Sequence, residues 1–253
     1  QGYVVDRLDW FPTVHLSQQL GNDYQIQASY TRRINRPRGW NLEPFRNYIV
    51  KDNIREGNPG LLPEYVNSAE LSAMKKWGMT FLSLEAYYRN TENLITRILT
   101  PLADGVVLHT FDNINQDHSL GLEAMLNYEL NDRFNFNLSG SVFNYRLEGM
   151  VNGETVDRES NNWRSRLNMN AKFLKRTRLQ LSLGYYGPSV TAQGTSEGMF
   201  TSSLALRQDL MKNKVTAILQ VRDIFGTMRH DFTATSPGYY EHTVMQRESQ
   251  VVN

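Results

Sequence analysis

The feature that most constrains this chain is a side-chain period of two that recurs along nearly its whole length. Over residues 24–31, Tyr24, Ile26, Ala28 and Tyr30 are apolar or aromatic, and Gln25, Gln27, Ser29 and Thr31 are polar. Such alternation puts one kind of side chain on each face of a β-strand. The pattern returns at Leu82–Tyr88, Leu120–Tyr128, Phe134–Val142, Trp163–Phe173, Leu179–Tyr185 and Val215–Val221. No segment shows a comparable 3.6-residue period. The spacing predicts about eleven strands, at 10–19, 24–35, 64–75, 80–90, 117–129, 134–146, 162–173, 178–187, 198–209, 214–225 and 240–253. Most are far longer than the roughly 5–6 residues of an average soluble strand and match the roughly 9–11 that a tilted strand needs to cross a bilayer.

The connections narrow the choice further. Short polar turns are expected at 20–23, 76–79, 130–133, 174–177 and 210–213, and long loops at 36–63, 91–116, 147–161, 188–197 and 226–239. The two kinds alternate without exception. An up-and-down membrane barrel sorts its connections in this way, with tight turns on the periplasmic side and long loops outside. A soluble sandwich has no reason to do so. The expected fold class is therefore all-β, an antiparallel up-and-down transmembrane β-barrel fragment.

The faces follow from the charges. Arg164, Arg166 and Lys172 share one face of one strand. Facing lipid at the midplane, each would cost about 2–4 kcal/mol, so that face is the lumen. Trp163 and Phe173, on the opposite face, fall where two interfacial aromatic girdles would lie. The same parity puts Glu70, Glu85 and Glu123 inward on three successive strands, and Arg178, Arg207, Arg222 and Arg247 inward on later ones. One reading of this unequal wall is attraction of an anionic substrate; the other is ion pairing within a wet lumen or with a plug.

Composition adds exclusions. Lys plus Arg number 27 and Asp plus Glu 26, a net charge of +1, which gives no support to nucleic-acid binding through bulk charge. There is no cysteine, so disulfide scaffolds and thiol chemistry are excluded. The histidines form no helical zinc motif. His109, Asp112, Asp117 and His118 flank the outer ends of two strands, where either a metal contact or a solvated loop is possible; no metal or cofactor is assigned. No serine-nucleophile elbow, phosphate loop or dinucleotide fingerprint occurs, so the chain is not read as an enzyme.

Between residues 30 and 71 the sequence carries a recognisable series. Tyr30-Thr31-Arg32-Arg33-Ile34-Asn35-Arg36-Pro37 is followed by Leu42-Glu43-Pro44-Phe45, then Gly57-Asn58-Pro59-Gly60-Leu61-Leu62-Pro63-Glu64 and Ser68-Ala69-Glu70-Leu71. With Gly121-Leu122-Glu123 and Val221-Arg222-Asp223-Ile224-Phe225, this resembles the outer-membrane β-barrel family of Bacteroidetes-type TonB-dependent receptors. The resemblance implies TonB-driven uptake of a scarce nutrient (a siderophore, glycan or peptide) through a 22-stranded barrel plugged by an N-terminal domain in the bacterial outer membrane. It implies as partners the outer-membrane lipid, the plug and remaining strands, the TonB complex acting through the plug, and a surface lipoprotein. Plug and energy-coupling segment are absent from this sequence, so residues 1–253 are expected to be the C-terminal half of such a barrel. The other readings are a smaller outer-membrane porin or adhesin barrel and a soluble all-β carbohydrate-binding domain.

Independently of family, Pro37, Pro44, Pro59 and Pro63 stiffen the 36–63 loop, while Gly57, Asn58 and Gly60 permit tight reversals. At 28 residues the loop exceeds the ~12–15 above which loops usually have a function of their own. Arg36, Pro37, Pro44, Phe45, Gly57, Asn58, Pro59, Pro63 and Glu64 are accordingly expected to form either a rigid rim or a ligand contact.

Overall fold

A computed structural model of the chain describes residues 8–102, 105–174, 176–211, 214–236, 239–246 and 248–252. Arg247, one of the inward charges expected above, lies outside the described residues. The wall of the molecule is one antiparallel meander of ten strands. In chain order these are β1 (Thr13–Leu20), β2 (Tyr24–Asn35), β5 (Glu64–Trp77), β6 (Thr80–Pro101), β7 (Val107–Asn131), β8 (Phe134–Val151), β9 (Glu154–Leu174), β10 (Thr177–Tyr186), β13 (Met199–Leu210) and β14 (Val215–Arg222). Between β2 and β5 lie a four-residue helix, α1 (Gly39–Leu42), and two short strands, β3 (Asn47–Val50) and β4 (Asn53–Arg55); β4 pairs in parallel with β7. A separate four-stranded sheet joins β11 (Ser189–Val190), β12 (Gly194–Ser196), β15 (Arg229–Ser236) and β16 (Tyr239–Gln246).

The register keeps one parity across all ten wall strands. Leu16 faces Ala28, Ala28 faces Leu71, and Leu71 faces Ala86, which faces Leu122, then Val142 and Trp163. A slip of one residue anywhere would invert every side chain beyond it; none occurs within the apolar belt. On β8 the outward face is apolar or small from Phe134 to Val142 and then turns to Asn144, Arg146 and Glu148; on β9 it runs from Phe173 up to Trp163 and then turns to Asn161, Glu159 and Asp157. These belts of nine to eleven residues match the hydrocarbon crossing. Aromatic pairs mark both edges: Phe134 with Phe173 (6.5 Å) at the short-turn end and Trp163 with Tyr185 (6.1 Å) at the other. Lys75 lies over the rings of Tyr24 and Trp77 at the short-turn edge, as an interfacial lysine does.

The short turns expected at 20–23, 76–79 and 130–133 form, with Gly21 and Gly78 at positive φ in two of them; the turns expected at 174–177 and 210–213 include residues outside the described ones, and the strands flanking them end at Leu174 and Leu210 and resume at Thr177 and Val215. Three expectations are corrected. First, segments 91–116 and 147–161 are not loops. β6 and β7 continue to Pro101 and Val107, and β8 and β9 to Val151 and Glu154, giving strands of 22, 25, 18 and 21 residues. The second hairpin closes through Asn152 (φ 51°) and Gly153 (φ 83°), the left-handed pair that a two-residue turn requires. Second, residues 226–239 contain β15. Third, residues 240–253 are not one crossing strand: Tyr239–Gln246 pairs with β15, and the position beside β14 is taken further on, by Val252, which bridges Val221. Among the described residues the wall therefore has ten full strands, where about eleven were expected. β14 stops at Arg222 because Asp223 adopts a left-handed conformation (φ 52°) and its carboxylate accepts from the Thr227 and Met228 amides (2.9 and 3.1 Å). Asp223 is thus the turn-forming residue of the Val-Arg-Asp-Ile-Phe motif.

The buried core is not in the membrane wall. It sits above it, where Ile98, Ile114, Leu147, Val151 and Ala192 form one cluster and Leu99, Val107 and Ala234 another. Leu147, Val151 and Val156 continue the inward parity of β8 and β9, so the small sheet and its loop pack on the inward side of the projecting hairpins. Gln193 fastens this contact: its side chain accepts from the Leu99 amide (2.7 Å) and donates to the Leu99 carbonyl (2.9 Å).

Candidate functional site

Every described residue expected to face the lumen lies on the polar side of the wall. Glu85 stands directly opposite Glu123, with Ser72 beyond Glu85; Glu123 faces Ser141, which faces Arg164, which faces Tyr186. One level of the wall thus passes from two carboxylates to a guanidinium within three strands. Glu70 accepts hydrogen bonds from the hydroxyls of Ser29 (3.1 Å) and Ser68 (3.0 Å). Arg164 lies over the Phe143 ring (5.4 Å), and Arg166 donates to the Tyr186 hydroxyl (2.9 Å). With the small residues Ser139, Gly140 and Ser141, they line a recess of about 250 Å³ bounded on one side by Glu123.

Nearer the short turns, Lys172, Arg178 and Arg207 occupy one level on three adjacent strands, each directly opposite the next. Like charges so placed repel. Arg207 contacts Asp209 (3.2 Å). Among the described residues Arg164, Arg166, Lys172, Arg178 and Arg222 have no carboxylate within 4.0 Å. The described strands therefore present positive charge that is not held in direct ion pairs.

The loop motif is brought together by backbone crossing. The Gly57 amide donates to the Glu43 carbonyl (2.8 Å) and the Asn58 amide to the Asn41 carbonyl (2.7 Å). A Cβ on Gly57 would lie 2.6–2.7 Å from backbone atoms of Asn41 and Glu43, so only glycine permits the approach. Asn58 also donates to the Phe111 carbonyl (3.1 Å) and accepts from the Gly60 amide (2.9 Å). Glu64 is buried and spans three strands: it accepts from the Asn35 side chain and from the Ile95 amide (2.7 Å). Pro37, Pro59 and Pro63 are half-buried, whereas Arg36 and Pro44 are exposed and Phe45 is 72% exposed. The motif divides into an inner half, which anchors the loop to β5, β6 and β7, and an outer tip that nothing covers.

The structure separates the His109, Asp112, Asp117, His118 set. His118 stacks beside Tyr88 on the outward face, while His109 is buried beneath the 36–63 loop. Nδ1 of His109 accepts from Arg97 and Nε2 donates to Asn53 Oδ1 (2.6 Å), a pairing that requires the neutral ring. Burial first, and the Arg97 charge second, hold its pKa below the usual histidine value. Sequence reasoning missed this lock, and also the parts played by Gln193 and Asn113. Asn113 accepts from the Leu62 amide (2.7 Å) and donates to the Leu62 and Asn93 carbonyls. None of these has a local signal, because every partner lies at least twelve residues away in the chain. The Asn152-Gly153 hairpin did have one.

The profile of a family described as outer membrane protein beta-barrel matches residues 3–253. No curated protein matches. Among solved structures, the chain is similar to the siderophore receptor PirA from Pseudomonas aeruginosa at 15% identity and a TM-score of 0.64, over 88% of this chain and 41% of that one. It is similar to the ferric enterobactin receptor PfeA from Pseudomonas aeruginosa (a G324V mutant) at 17% identity and a TM-score of 0.60, over 87% of this chain and 35% of that one. It is also similar to PirA from Acinetobacter baumannii at 12% identity and a TM-score of 0.59, over 86% and 37%. The chain thus spans about two-fifths or less of the length of these receptors. With a belt of bilayer height, two aromatic edges, sorted connections and a polar inner wall, the chain belongs to the outer membrane β-barrel protein family and resides in the bacterial outer membrane.

Proposed function

We propose that residues 1–253 form the C-terminal half of a TonB-dependent receptor barrel of about 22 strands and that the whole receptor imports a scarce nutrient without catalysing a reaction on it. The observation that carries this reading is the inner wall. On the polar face of the wall, five cationic side chains have no carboxylate within 4.0 Å among the described residues; this supports reading that face as a lumen lining, where side chains in this class tune what passes. An anionic cargo fits such a wall, and the likeness to siderophore receptors supports a ferric siderophore as the first class to test. The plug domain of the full receptor occupies the lumen and couples it to the TonB complex; a surface lipoprotein is a further partner.

The test replaces Arg164 and Arg166 with Glu in the full-length receptor and measures uptake of iron-labelled siderophores by cells with and without a collapsed proton-motive force. The expected result is energy-dependent uptake that falls at least tenfold in the double variant while surface expression is unchanged. Uptake of every anionic candidate at the parental rate would refute the anionic-cargo reading. Uptake that persists after de-energisation would refute TonB coupling and leave a passive porin.

A further inference from the structure

The outward face of the wall is recessed at one place. The row Leu84, Ala124, Gly140, Ser165 and Tyr185 crosses five strands in register, from β6 to β10, and its three central members are small. Val142 and Trp163, paired one outward step nearer the outer edge, stand over them, and Tyr185 closes one side. The result is an open hollow of about 580 Å³ lined by Ala124, Gly140, Val142, Trp163, Ser165 and Tyr185.

The backbone does not need a glycine at position 140. Its φ is not positive, and a Cβ there would meet only the Arg164 carbonyl oxygen, at an ordinary 3.5 Å. Gly121, Gly184 and Gly187 differ, since a Cβ on each would come within 2.6, 2.7 and 2.3 Å of a neighbouring side chain. Glycine inside a strand is less stable than alanine, because it loses more backbone freedom on folding. Here that cost maintains empty space on the surface rather than relieving a clash.

The position of the hollow selects its occupant. It opens on the lipid-facing belt, beneath the Trp163 and Tyr185 edge and therefore in the outer leaflet. Immediately above, the outward face becomes polar: Asn144 donates to Asn161 (3.0 Å) and to Glu159 (2.7 Å), and Arg146 forms a two-point pair with Asp157 (3.0 and 2.8 Å). An apolar slot continuous with the bilayer and ending at a polar collar has the profile of a lipid. A protein partner seated there would have to cover the collar's charges as well. We propose that the hollow is a binding site for an acyl chain of an outer-leaflet lipid, whose head group rests against the collar of Asn144, Arg146, Glu159 and Asn161.

The experiment uses full-length receptor extracted from outer membranes into a mild detergent, exchanged extensively and examined by native mass spectrometry. The parent protein is expected to retain one acylated lipid per molecule. Gly140→Leu and Ser165→Leu, which fill the hollow, are expected to lower its occupancy at least tenfold, while Ala73→Leu, elsewhere on the belt, leaves it unchanged. Heat-modifiable migration identifies folded barrels, and if one filling variant does not fold the other decides. A parent protein with no bound lipid, or undiminished lipid in a folded filling variant, would overturn the proposal. So would a photo-crosslinker at Val142 that captures a protein instead of a lipid in whole cells.

Discussion

Gly57→Ala gives the sharpest prediction about the outer surface. The added Cβ would sit 2.6 Å from the Glu43 amide nitrogen and 2.7 Å from the carbonyl oxygens of Asn41 and Glu43. Ordinary contact begins near 3.4 Å, so two backbone segments must separate by roughly 0.7 Å or more, because backbone atoms have no rotamer through which to yield. That displacement breaks or lengthens the Gly57-to-Glu43 and Asn58-to-Asn41 hydrogen bonds, now 2.8 and 2.7 Å. At about 1 kcal/mol each, with the residual clash added, the docked loop loses about 2–3 kcal/mol. Local opening becomes roughly 30- to 150-fold more frequent. Amide hydrogen exchange on the full-length protein reads this directly: protection should fall by that factor over residues 41–61 and stay constant in β8, β9 and β10, which lie further along the wall. Gly39→Ala is the control, because a Cβ there meets nothing within 4 Å. Unchanged protection at 41–61, or equal loss in the Gly39 variant, would refute the claim that a backbone crossing holds the loop.

Other consequences follow from the contacts above the membrane belt. Gln193→Ala leaves the Leu99 amide without its side-chain partner (2.7 Å) and the Leu99 carbonyl with only the longer bond from Asn152 (3.3 Å); a loss of about 1–3 kcal/mol should appear as faster exchange at Leu99 and in β12 and β15, but not in the membrane-crossing parts of the wall strands. For His109 the folded pKa lies below the unfolded value near 6.5, so the unfolded segment binds more protons in between. Stability from this lock is full above pH ~6.5 and falls as pH drops through the folded pKa. Protection factors at residues 53–56, corrected for the intrinsic exchange rate at each pH, should accordingly fall on acidification from pH 7.5 to 5, and His109→Gln should flatten the profile; protection factors that rise at low pH would contradict the neutral-ring assignment. Gly153→Val forces a branched residue into φ 83° and should fray the β8–β9 tip, seen as proteolytic nicking near residue 153, with the barrel left intact.

How much was legible in advance varies along the chain in a physically consistent way. Within the bilayer one face must be apolar and the other wet, so Leu138, Leu167 and Leu181 alternate with Asn137, Asn168 and Ser182, and the period of two survives in the sequence. The short turns were equally plain, because polar residues and the positive-φ glycines Gly21 and Gly78 act locally. Above the belt that contrast disappears. On the outer halves of β8 and β9 the outward face carries Glu148, Asp157 and Glu159, and the inward face mixes Leu147 and Val151 with Arg158 and Ser160. A strand with two irregular faces reads as a loop, and these did. The signal left was Asn152-Gly153, whose meaning depends on strands being present on both sides.

The sequence by itself determined the crossing strands, their faces, the place of Glu70, Glu85, Glu123 and the described basic residues on the polar face, and the outer-membrane class, because each follows from nearest-neighbour alternation in a layered solvent. Only the tertiary structure decided that the wall has ten full strands among the described residues, that two expected loops are projecting hairpins, and that β11, β12, β15 and β16 build a second sheet. It alone brought Gly57 against Glu43, Gln193 against Leu99 and His109 against Asn53 and Arg97. It also brought Ala124, Gly140 and Ser165, from three different strands, to one level of the outer face. These contacts join residues distant in the chain through backbone groups that every residue carries, so no local pattern of side chains can announce them.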